Sequence, residues 1–153
     1  MILFLDFDGV LHPTWPCPDD MAFREVPRLL AILDDFPQLE LVISSSWRHL
    51  RNSPEWESVP ECLRARIVGH TPELPRRIRR GYPVGYKPEP IRYLEIMRYL
   101  KSRRQPDELW VALDDDERLF PAGCPNLVLC QRGFGDPEET ALRHKLHAWI
   151  NTR

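Results

Sequence analysis

Three apolar runs end in residues able to do chemistry, and this limits the folds open to the chain. Ile2 to Leu5 leads into Asp6, Leu39 to Ile43 leads into Ser44-Ser45-Ser46, and Leu109 to Leu113 leads into Asp114-Asp115-Asp116. Continuous apolar runs of this length suit strands buried on both faces, as in a parallel sheet. Between them lie stretches with helical spacing. Leu29, Leu30, Ile32, Leu33 and Phe36 predict a helix over 26–36, with Pro27 in its first turn and Pro37 ending it. Ile91, Leu94, Ile96, Met97 and Leu100 predict another over 90–102. A short helix is expected in 54–65, a short strand over 66–69, a fifth strand over 127–130 and a final amphipathic helix over 137–150. Residues 11–20 read as a loop, and 70–86 as irregular and basic.

This alternation predicts an α/β fold with a mainly parallel five-stranded sheet. No composition shift divides the chain, so a single domain over 1–153 is expected. Net charge is −2 and apolar residues make up 42%, so nothing global marks a membrane or nucleic-acid binder. No run approaches the roughly 20 apolar residues of a bilayer span, and no secretory leader pattern is visible. Cys17, Cys62, Cys124 and Cys130 form no C-x-x-C pair, which reads as reduced thiols and a cytoplasmic location.

In an open parallel sheet the C-terminal strand ends share one edge, where ligands bind. Consider the electrostatics if Asp6 and Asp115 meet there. Two carboxylates about 4 Å apart repel by roughly 4 kcal/mol at an effective dielectric near 20. Either a pKa rises or a cation sits between them. Magnesium fits, because it takes hard oxygen ligands and accepts a phosphate oxygen. Asp6 and Asp8 alternate along an extended backbone, so one can attack phosphorus while the other handles a proton. Gly9 permits a sharp turn behind them.

With those residues in view, the chain resembles the haloacid dehalogenase (HAD) superfamily of phosphohydrolases, as a small capless member. Asp6-Phe7-Asp8-Gly9-Val10-Leu11 is similar to its first motif, D-x-D-G-[TV]-L. Ser45 resembles the second-motif hydroxyl, with Ser44 as the alternative. Lys87 resembles the third-motif lysine, with Arg92 as a substitute or additional clamp. Asp114-Asp115 resemble the fourth-motif acidic pair. The resemblance implies a three-layer Rossmann-like fold with strand order 5-4-1-2-3. It implies Asp6 as nucleophile, forming an aspartyl-phosphate, and Asp8 as acid and base that also offers its backbone carbonyl to the metal. It implies Asp6 and Asp115 as magnesium ligands with Asp114 beside them, and Ser45 and Lys87 holding the phosphoryl oxygens.

The function expected is a magnesium-dependent phosphatase, with a non-catalytic phosphate-binding or interaction module on the same fold as the alternative. A phospho-accepting receiver fits poorly, since no acid ends the strand at Ile67-Val68. The gaps from Asp8 to Ser45 and from Ser45 to Lys87 hold no folded cap, only covers from 11–24 and 70–86. The resemblance to capless members implies a large or exposed phosphate: a nucleic-acid end, a phosphoprotein or a nucleotide. No membrane and no stable protein partner is expected. Other features have blander readings. Arg48 reads equally as a phosphate clamp or a structural salt bridge. His12 reads as a loop residue more than as part of the pocket mouth. Trp47 and the other four tryptophans read as packing. Arg76, Arg77, Arg79 and Arg80, beside Tyr82 and Tyr86, read as a solvated basic loop rather than a nucleic-acid grip.

Overall fold

The computed structural model describes residues 1–14, 16–75, 89–103 and 108–151. Five parallel strands form one sheet: β1 (Ile2–Leu5), β2 (Glu40–Ile43), β3 (Ile67–His70), β4 (Trp110–Asp114) and β5 (Leu127–Leu129). Their order is β3-β2-β1-β4-β5, the expected order counted from the other edge. Among the described residues four α-helices accompany them: α1 (Val26–Asp35), α2 (Glu61–Arg64), α3 (Ile91–Ser102) and α4 (Asp136–Asn151).

β1 is central and wholly buried, and its side chains alternate between two cores. Leu3 and Leu5 join Leu29, Ile32 and Leu33 of α1 and Leu142 and Leu146 of α4. Ile2 and Phe4 join Ile96 of α3, Trp110 and Phe120. Helices on both faces make the three-layer arrangement and explain why the strands read as unbroken apolar runs.

The elements match the sequence expectations within a residue or two, and the short helix expected in 54–65 is a single turn. That stretch splits into a 3₁₀ turn at Pro54–Ser58 and the single turn of α2. Pro60 lies between them and disfavours helical geometry in Val59, which is extended at φ −69°, ψ 125°. The loop expected over 11–20 runs into a 3₁₀ turn at Asp19–Met21, which takes its last two residues. Among the described residues, no helix is long and apolar enough to cross a membrane.

Candidate active site at the carboxyl edge of the sheet

The parallel register sets which strand ends meet. Leu5 pairs with Ile43 on one side and Leu113 on the other. Asp6, Ser44 and Asp114 therefore emerge side by side. Asp6 N donates to Leu113 O at 3.0 Å, and Ser44 N to Leu5 O at 3.0 Å.

Beyond Asp6 the chain turns at once. Val10 N and Leu11 N both donate to Phe7 O, and Gly9 N donates to His12 O at 2.8 Å. Gly9 has φ +73°, and a Cβ there would lie 2.1 Å from Asp115 Oδ2. A glycine is needed on both counts: for the left-handed backbone, and to let the loop after β4 close against the loop after β1.

That closure gathers carboxylate oxygens of Asp6, Asp114 and Asp115 within 4.8 Å of one another. Arg92, on the first turn of α3, reaches the same point. Its Nη1 lies 3.2 Å from Asp6 Oδ1 and 3.5 Å from Asp114 Oδ2. Burial opposes its charge, but Asp6 and Asp114 hold the guanidinium above its ordinary pKa. Asp114 is fully buried, and burial pushes its carboxyl up to about 7, with Arg92 opposing and Asp6 reinforcing the rise. Asp115 is raised by partial burial and by Asp6.

Three carboxylates facing one guanidinium leave two negative charges when all are ionised. Asp114 Oδ1 accepts from Asp116 N at 3.0 Å. Its Oδ2 is buried and makes no hydrogen bond among the described residues, where Arg92 stands at ion-pair distance only. An orphaned carboxylate oxygen beside two more is a donor set suited to a small hard divalent cation. Magnesium therefore fits, with Asp6, Asp114 and Asp115 as the side chains able to hold it.

Asp8 lies outside that cluster. Its Oδ2 accepts from the Trp47 indole N–H at 2.9 Å, and its Oδ1 is 3.8 Å from His12 Nδ1. His12 is buried, its ring 4.6 Å from that of Phe23 and 5.7 Å from that of Trp47. The sequence reading placed His12 in a plain loop and Trp47 in packing. Both contact the second aspartate. What hid Trp47 is that only the β1–β2 pairing brings it to Asp8; its position directly after the serine run was the available signal.

Ser45 is fully buried and its Oγ accepts from Trp47 N at 3.2 Å, which leaves the hydroxyl proton to donate. Ser44 Oγ is buried without a partner among the described residues. Arg48 resolves towards structure. It donates to Ser44 O at 2.7 Å and pairs with Glu95 at 2.9 Å. Lys87, the four arginines of 76–80, Tyr82 and Tyr86 lie outside the described residues.

The family model for the HAD domain in Swiss Army Knife RNA repair proteins matches residues 2–138. The chain belongs to that family. This HAD domain thus carries its acidic residues on the framework the resemblance implied, and the family points to phosphohydrolase-type chemistry. No curated protein and no solved structure matches it.

Proposed function

We propose that this HAD domain is a magnesium-dependent phosphohydrolase that removes a terminal phosphate from a nucleic-acid end, RNA foremost. The observation that carries the reading is the separation of the two motif aspartates. Asp6 sits among carboxylates and Arg92, whereas Asp8 is held apart by a neutral indole donor. Two carboxyl groups in unlike surroundings suit unlike roles. Asp6 attacks phosphorus and the bond to the leaving oxygen breaks. Asp8 gives that oxygen its proton, leaving an aspartyl-phosphate on Asp6. Asp8, now a carboxylate, takes a proton from water as the water attacks phosphorus. Phosphate departs and Asp6 is restored.

Arg92 fixes the attacking carboxylate through Oδ1, and the Ser45 hydroxyl is placed to donate to a phosphoryl oxygen. Lys87 is the sequence candidate for a further phosphate contact. Bound magnesium would supply charge neutralisation at the phosphoryl oxygens, held by Asp6, Asp114 and Asp115, with the Asp8 carbonyl as a further donor. RNA is favoured as substrate because the family is described from RNA repair proteins and the sequence leaves little room for a cap.

The test is phosphate release from an aryl phosphate and from terminally phosphorylated oligonucleotides, with magnesium or chelator. Asp6→Asn is expected to lower kcat by on the order of 10³-fold or more. Turnover that survives either Asp6→Asn or chelation would overturn the proposal.

A further inference from the structure

The loops after β1 and β5 enclose a cavity of about 260 Å³ beside the acidic cluster. Asp115, Gly9, Thr14, Arg24, Gln131 and Arg132 are among its lining residues. Its walls are fixed by backbone hydrogen bonds. Phe134 N donates to Val10 O at 2.9 Å, and Glu25 N to Leu11 O at 3.1 Å.

A strained residue precedes one of the lining residues in the chain. Among the described residues, Phe23 is the non-glycine at positive φ, +54°. The left-handed region brings Cβ close to the following carbonyl oxygen, so a residue with a side chain rarely adopts it. Its ring is buried against His12 and Trp47, with centroids 4.6 and 5.5 Å away, and the next residue, Arg24, lines the cavity. Strain kept beside a candidate site is a pointer to use.

The charges in the cavity cancel only in part, because Arg24 meets Glu25 while Arg132 stays outside that pair. Two arginines and two carboxylates line it. Asp115 faces the Asp6–Asp114 cluster, and Glu25 is met by Arg24 at 3.1 Å and Arg28 at 3.5 Å. The exposed Arg132 side chain forms no ion pair with any described residue. A guanidinium fork with open donors matches a phosphate. A lone phosphate monoester at Asp6 has no group to place there.

Resting on the phosphohydrolase reading, we propose that this cavity binds the phosphodiester adjoining the terminal phosphate of an RNA strand, with Arg132 and Arg24 as its donors. The domain then prefers a strand end over an isolated monoester.

The experiment compares kcat/KM on a terminally phosphorylated oligoribonucleotide with kcat/KM on an aryl phosphate. Losing one charged contact lowers that ratio about tenfold in Arg132→Gln and in Arg24→Gln. A neutral methylphosphonate at the first linkage produces the same loss in the unsubstituted protein. A second readout needs no turnover. In Asp6→Asn protein, the salt dependence of oligonucleotide binding flattens by a slope of about 0.7 for each arginine removed. An unchanged ratio together with an unchanged slope overturns the cavity assignment while leaving the phosphohydrolase reading intact. A preference for a nucleoside diphosphate over the oligonucleotide overturns the strand assignment. If no phosphate ester is turned over, the phosphohydrolase reading fails, and the binding slope still decides the cavity.

Discussion

Trp47 holds Asp8 by one neutral hydrogen bond. Its N–H to Asp8 Oδ2 is 2.9 Å, and its ring packs against Phe7 and Phe23 with centroids 5.8 and 5.5 Å away. Trp47→Phe keeps much of that packing and removes the donor. If Asp8 delivers the leaving-group proton, the loss should track the leaving group. We expect about a tenfold fall in kcat on an alkyl phosphate and a smaller one on an aryl phosphate whose phenolate leaves without help. Equal falls on both would show a merely structural role for Trp47. Gly9 makes a second prediction at this scale. Gly9→Ala sets a methyl 2.1 Å from Asp115 Oδ2 on a backbone at φ +73°. Asp115 must move, so the magnesium concentration giving half-maximal activity should rise severalfold. An unchanged midpoint would count against Asp115 as a ligand. The four acids were legible because each ends or follows an apolar run. Trp47 and His12 were not, since an aromatic beside apolar neighbours looks the same whether it fills the core or orients a carboxylate.

At the scale of elements, the turn after β2 is tied to α3 by one buried ion pair. Arg48 and Glu95 are 8% and 5% exposed and 2.9 Å apart. Arg48 also holds Ser44 O, and Glu95 accepts from Leu74 N at 3.2 Å. Glu95 lies one turn along α3 from Arg92, so this pair helps set where Arg92 meets Asp6. Removing one member strands a buried charge, which typically costs 3–5 kcal/mol. Glu95→Ala should therefore lower unfolding free energy by about 3 kcal/mol in denaturant titrations, and Arg48→Met with Glu95→Leu should recover much of it. If Glu95→Ala is neutral, the pair does not anchor α3. The sequence could not decide Arg48, because its partner is 47 residues away and only packing of α3 on the sheet brings them together. The short helix expected in 54–65 is present as α2, and it is confined to one turn for a local reason: Pro60 keeps Val59 extended and separates the helix from the 3₁₀ turn at Pro54–Ser58.

At the scale of the whole molecule, folding itself gathers the acids. β1 and β4 lie far apart in sequence, and their pairing drives Asp6, Asp114 and Asp115 together. The unfolded chain has no such repulsion, so the metal-free fold carries an electrostatic cost that depends on pH. Asp114 has its pKa pushed up to about 7 in the folded protein, chiefly by burial, against 3.8 ordinarily. Between those values the folded state binds more protons than the unfolded state, so stability falls as pH rises through that window. Asp116 and Glu139 act in the opposite sense. Hydrogen bonds from Arg118 and Arg143 lower their pKa values, so their contribution is complete above about pH 4.5 and is lost only in stronger acid. Metal-free protein should therefore show a falling Tm from about pH 5 to pH 7.5. Magnesium at 100 times its Kd should restore about 2.7 kcal/mol at the upper end, where the acids are ionised. Asp114→Asn should flatten the metal-free profile and weaken the magnesium effect together. A profile that rises with pH in wild-type protein, or a magnesium shift that Asp114→Asn leaves intact, would show that the acids at the sheet edge do not share one cation.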